Sequence, residues 1–162
     1  MNEVVNSLNE NGLVIDVYPD AVKSCDKYAN LKSANFLPYS LAALFAKENK
    51  LNDCLLLNTD GHIADSTIAN VFVISGKIIR TPGLDQGCVH GVMRRHLLAG
   101  MHLAGYQVTE TAVAVSDIEN ADEVFLTNAI NGIRWIRAFR DKTFTNFRTV
   151  EIYNRCLRTI PV

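Results

Sequence analysis

The chain predicts a single mixed domain, α+β or α/β, in which short strands form one sheet and helices wrap it. Three observations predict this class. Short apolar runs recur between turn residues, as buried strands do. Three longer segments carry their apolar residues at helical spacing instead. The length of 162 residues suffices for one substantial core but not for two full-sized domains.

Residues 13–18 read as a strand that Pro19 closes. Residues 36–46 have helical spacing, and Pro38 is acceptable in the first turn because its missing amide would have no partner there. This helix should fade near Asn49. Residues 54–57 form an apolar strand, and Asn58-Thr59-Asp60-Gly61 supplies turn chemistry before a second strand at 63–65, which predicts a hairpin. Residues 71–74 and 77–80 predict another hairpin through Ser75-Gly76. A helix over 91–104 stops at Gly105, a strand begins at Tyr106, and Ser116 is placed to cap a short helix through Asn120. Strands at 124–126 and 133–139, a turn at Asp141-Lys142 and a helix over 150–157 complete the order.

Composition narrows the function classes. Hydrophobic residues make up 48% and charged residues 20%, too apolar a balance for general disorder. Lys plus Arg number 16 against 17 Asp plus Glu, so no global positive field exists to hold a polyanion and no nucleic-acid partner is expected. Cys25, Cys54, Cys88 and Cys156 form no CxxC pair, which points to a reducing, cytoplasmic setting. No stretch approaches the ~20 apolar residues of a membrane span, and no secretion signal is legible, so no membrane partner is expected. His62, His90, His96 and His102 form neither HExxH nor a dense ligand cluster, and no metal site is expected.

The GxGxxG and GxxxxGK[ST] phosphate cradles are absent, but two other loops suit an anion. Gly87 and Gly91 precede a helix whose first amides and dipole can receive a phosphate, although from local sequence alone Gly91 better suits a tight helix start. Thr127-Asn128-Ala129-Ile130-Asn131-Gly132 follows an apolar strand; Asn128 either donates to an anion there or makes an Asx turn. Spacing alone does not bring the two loops together. Taken singly, Lys32 is a solvated lysine.

The order of the motifs says more than any one of them. Lys32-Ser33-Ala34-Asn35, Gly61-His62-Ile63-Ala64-Asp65-Ser66-Thr67-Ile68-Ala69-Asn70-Val71-Phe72, Thr81-Pro82-Gly83-Leu84-Asp85-Gln86-Gly87, Gly91-Val92-Met93-Arg94 and Ala121-Asp122-Glu123-Val124-Phe125-Leu126-Thr127-Asn128-Ala129 follow one another along nearly the whole chain. In that order they resemble the class IV aminotransferases. The TPGLDQ and GVMR strings look most like the aminodeoxychorismate lyase branch of that family.

The resemblance implies that residues 1–162 are the large C-terminal domain of a fold-type IV pyridoxal-phosphate enzyme, with the family's usual smaller N-terminal domain absent. It implies pyridoxal 5'-phosphate as cofactor, a small amino-group-bearing substrate and a homodimer. Lys32 matches the lysine that holds the cofactor as a Schiff base and moves a proton, two tasks suited to a long side chain ending in a nucleophilic amine. Asp65 stands where the family normally has Glu facing the pyridine nitrogen, and is one methylene shorter. Val89 would pack against the ring. The amides of Val92 and Met93 would hold the phosphate, with Met93 replacing a common threonine, and the Asn128 side chain and Ala129 amide would form a second phosphate loop. Phe36 stands where branched-chain aminotransferases have a tyrosine, which counts against that branch; core packing is its other reading. The leading expectation is a lyase that converts 4-amino-4-deoxychorismate to para-aminobenzoate and pyruvate. The alternatives are a D-amino-acid or branched-chain aminotransferase, and a non-catalytic remnant or isolated cofactor-binding domain.

Overall fold

The computed structural model describes residues 8–34 and 36–157. Within them, nine strands form one mixed sheet: β1 (Leu13–Lys23), β2 (Asp53–Asn58), β3 (Ile63–Ser66), β4 (Asn70–Ser75), β5 (Ile78–Pro82), β6 (Gln107–Thr111), β7 (Glu123–Asn128), β8 (Gly132–Phe139) and β9 (Lys142–Thr143). The helices are α1 (Leu37–Glu48), α2 (Val92–Leu103), the short α3 (Val115–Glu119) and α4 (Phe147–Cys156). The strand order is β3-β2-β1-β8-β7-β4-β5-β6, with β9 on β8. β1 runs parallel to β2 and β8, and β5 parallel to β6; the other pairs are antiparallel. The expected mixed α/β class is the one observed.

Both faces of the sheet are covered, and the pleat sorts the side chains between them. On β4, Val71 and Val73 enter one core while Phe72 and Ile74 enter another. On β7, Val124 and Leu126 join the first and Phe125 the second. The first core also takes Ile15, Leu55, Ile63 and Phe139 from β1, β2, β3 and β8, so the sheet curls to bring distant strands onto one interior. The second lies under α2 and α4, where Leu97, Met101 and Ile152 meet the stacked rings of Phe72 and Phe125, centroids 4.8 Å apart. Truncating either fully buried ring to Ala costs about 3–5 kcal/mol. A third cluster packs Ala42 and Ala46 of α1 on Tyr18, Cys54 and Leu56.

Two local expectations need correction. Pro19 does not close β1, which continues to Lys23. Val17 pairs with Leu55 and Val22 with Leu57, so five steps on β1 match two on β2 and the surplus leaves the ladder. A bulge leaves residues outside the ladder, which is where a proline lacking its amide hydrogen is tolerated. Ser116 lies inside α3 rather than at its cap: Ala114 is the N-cap residue, and its amide donates to Asp117 Oδ2 at 2.8 Å. The carboxylate three residues on reaches back to the N-cap amide, the reciprocal half of a capping box, while no side chain caps the first helical amides.

The two most distinctive strings are tied together. Arg94, 1% exposed, donates through Nη2 to the Pro82 carbonyl at 2.8 Å and to Glu110 at 2.6 Å. It joins α2 to β5 and β6 and so fixes where α2 begins. No described helix is long and apolar enough to cross a membrane.

Candidate functional site

A cavity of about 830 Å³ opens where the end of β1, the loop that follows it, β3, the start of α2 and the loop after β7 converge. Lys32, Asp65, Val89, Val92, Met93, Asn128 and Ala129 all line it. The fold therefore brings together the two candidate anion loops that spacing left apart, and adds the lysine and the carboxylate to the same wall.

Lys32 lies in the loop between β1 and α1, which is anchored from below. Asn30 donates through Nδ2 to the carbonyls of Leu84 and Cys88, at 2.7 and 2.8 Å, and its own carbonyl accepts from the His90 amide at 2.9 Å. Gly87 completes the join: at φ 82° it takes a left-handed conformation, and a Cβ there would collide with the Ser24 carbonyl. The Lys32 Nζ lies 5.3 Å from the centre of the Phe36 ring. Phe36, 38% exposed, belongs to the cavity wall and not to the core. Asn35, part of the quoted lysine motif, lies outside the described residues.

Val92 and Met93 are the first two residues of α2, so their amides have no acceptor within the helix and point out of its positive end. Gly91 is the N-cap in extended conformation, and a Cβ on it would collide with Asn70 Oδ1. Across the cavity, Asn128 Oδ1 accepts from the amides of Ile130 and Asn131, at 3.0 and 2.7 Å. This is the Asx turn, and it directs the carbonyl inward to the loop, leaving the side-chain NH2 as the donor not spent in the turn. His96 and His102 bond to the carbonyls of Cys156 and Leu98, as packing residues of α2.

Asp65 has a 3% exposed side chain and three donors around it. Lys23 Nζ and the Val89 amide each lie 3.0 Å from Oδ2, and the Tyr39 hydroxyl lies 3.3 and 3.2 Å from Oδ1 and Oδ2. Burial pushes the Asp65 carboxyl above its ordinary range, opposed by Lys23, the Val89 amide and Tyr39. Burial and the adjacent carboxylate push the Tyr39 phenol up as well, and burial raises the Cys88 thiol to about 11. Breaking such a buried pair by removing one partner typically costs about 3–5 kcal/mol.

Sequence reasoning missed Lys23, Tyr39, Asn30 and Asn70. Lys23 was hidden beyond a proline taken as the strand's end, and Tyr39 inside a helix read only for packing. Asn70 was quoted within a motif but given no task. In the structure its Nδ2 donates to the Val89 carbonyl at 2.8 Å.

The donor set fits a phosphorylated pyridine aldehyde: an amine for the aldehyde, a buried carboxylate for a ring nitrogen, and helix N-terminal amides for a phosphate. Known proteins agree with that chemistry. The aminodeoxychorismate lyase of Vibrio harveyi is 32% identical over 105 residues, covering 65% of this chain and 39% of that protein. Branched-chain-amino-acid aminotransferase 6 of Arabidopsis thaliana is 32% identical over 134 residues, 80% of this chain and 35% of that protein. Several further relatives, 27–34% identical, bear aminotransferase names. The chain thus spans between a third and two fifths of the length of the first two relatives. Among solved structures, a putative 4-amino-4-deoxychorismate lyase from Legionella pneumophila superposes with a TM-score of 0.83 at 27% identity, over 91% of this chain and 56% of that one. The family model for class IV amino-transferases matches residues 9–139, most of the chain, and this protein belongs to that pyridoxal-phosphate-dependent family.

Proposed function

We propose that the chain binds pyridoxal 5'-phosphate in the 830 Å³ cavity and serves amino transfer from a small amino-group-bearing substrate. The observation that carries this reading is the convergence of Lys32, Asp65 and the α2 N-terminus on one cavity. Lys32 attaches the cofactor covalently, and the amides of Val92, Met93 and Ala129, with the Asn128 side chain, receive the phosphate. Asp65 faces the ring nitrogen and Val89 packs on the ring. The bound cofactor supplies an electron sink for a bond broken at the amino-bearing carbon of the substrate. Once the substrate's amino group has displaced it from the aldehyde carbon, the freed Lys32 amine would take the proton released there and return it to the product.

A lyase acting on 4-amino-4-deoxychorismate was the leading expectation from the motifs. The relatives favour amino transfer, because most of those described bear aminotransferase names. The lyase stays as the second reading on the likeness to the Vibrio and Legionella proteins. A homodimer is part of the proposal.

One assay separates the readings. The protein loaded with pyridoxal phosphate is given an amino acid with and without a 2-oxo acid acceptor, and separately 4-amino-4-deoxychorismate. Acceptor-dependent amino transfer supports the first reading. Equimolar pyruvate and para-aminobenzoate without an acceptor would replace it with the second, and failure to bind pyridoxal phosphate at all would overturn both.

A further inference from the structure

The cavity contains a second lysine. Lys23 closes β1, and the bulge around Pro19 delivers it there: had residues 18–21 kept the Val17–Leu55 register, Lys23 would lie beyond Asn58, the end of β2. Its side chain is 10% exposed and its Nζ lies 3.0 Å from Asp65 Oδ2, and 5.2 Å from the centre of the Tyr39 ring. Long, flexible and strongly hydrated, a lysine is rarely buried unless paired, so its desolvation here serves the carboxylate.

Asp65 is reached from each element packed around it: Lys23 from β1, Tyr39 from α1, and the Val89 amide and Cys88 from the segment ahead of α2. Of these, only the Lys23 ammonium is a cation. Oδ2 takes both 3.0 Å bonds, whereas Oδ1 has the 3.3 Å contact from Tyr39. The carboxylate is therefore held by one oxygen and offers the other.

We propose that Lys23 is a positioning residue of this site, which keeps Asp65 ionised and turns its Oδ1 toward a cationic ring nitrogen in the cavity. The proposal rests on the functional reading above for the identity of that ring. A shorter carboxylate than the family's glutamate gains in this way a fixed orientation and a standing charge. Lys23 does not react with the cofactor; that task belongs to Lys32.

The charge claim is tested without cofactor. The Asp65 side-chain carbon is followed by NMR through a pH titration in wild type, Lys23→Met and Lys23→Arg. Asp65 should titrate at least about one unit higher in Lys23→Met than in wild type or Lys23→Arg, since an adjacent opposite charge lowers a carboxyl by about one unit or more. Were Lys23→Met to fold poorly, the same Asp65 titration in Lys23→Gln decides, with the same upward shift expected. Unchanged titration in whichever pair is measured overturns the proposal. Pyridoxal phosphate affinity, read by fluorescence quenching, should fall at least about tenfold in Lys23→Met while borohydride still fixes the cofactor to Lys32. If affinity does not fall, Lys23 does not position Asp65 for the ring. If wild type binds no pyridoxal phosphate but the titrations shift as stated, the functional reading fails and the Lys23–Asp65 coupling stands.

Discussion

Asn70 donates from Nδ2 to the Val89 carbonyl at 2.8 Å, while the Val89 amide donates to Asp65 Oδ2 at 3.0 Å. Val89 is thus clamped on both sides, and the segment leading into α2 is held against β3 and β4. Asn70 is 5% exposed and Val89 half-buried, so replacing Asn70 with Ala leaves a partly buried carbonyl without this donor. Asn70→Ala should lose about 1–3 kcal/mol in urea unfolding and weaken pyridoxal phosphate binding.

Lys32→Ala tests the covalent role. The exposed lysine contributes little apolar burial, so far-UV circular dichroism and the unfolding midpoint should stay close to wild type. After borohydride reduction, wild-type peptide 32 should carry the cofactor mass and the variant should carry none. Turnover in the variant should fall by about 10²-fold or more, the usual scale of a lost acid–base group. The same adduct on another lysine would disprove the assignment.

Asp65 predicts a pH effect on stability. Its folded value is raised above the ordinary 3.8 by burial, so the folded state holds that proton more tightly than the unfolded chain. The associated stability is complete below about pH 3.8 and is lost as pH rises through the raised folded value. Asp65→Asn is neutral throughout; its constant cost is an unpaired Lys23. The stability of Asp65→Asn relative to wild type should therefore increase from about pH 4 toward neutrality, measured as urea midpoints over that range. A pH-independent difference would refute the shift.

Glu123 should prove a structural residue of its motif. It is 4% exposed, and its carboxylate accepts from the amides of Arg148 and Thr149 and the Thr149 hydroxyl, each at 2.8 Å. It caps α4 from β7. Glu123→Ala should cost about 2–4 kcal/mol, given three charge-assisted bonds at the helix's positive end, seen as a lower urea midpoint. Its effect on cofactor affinity at a temperature where the variant is folded should be small.

What the sequence alone determined was local in range or repeated along the chain. Strand and helix positions follow from apolar periodicity, which a few neighbouring residues express: Val71-Phe72-Val73-Ile74 alternates between two cores because the pleat sends adjacent side chains to opposite faces. Motif order named Lys32, Asp65, Val89, Val92, Met93, Asn128 and Ala129, all of which line one cavity. Tertiary structure decided the rest. That β1 crosses Pro19, that Lys23 meets Asp65 across 42 residues, and that Asn30 pins the Lys32 loop 54 and 58 residues downstream all depend on which strands lie side by side. A side chain's neighbours on other elements are set by sheet order and register, and a bulge of a few residues redirects them; no local pattern encodes either.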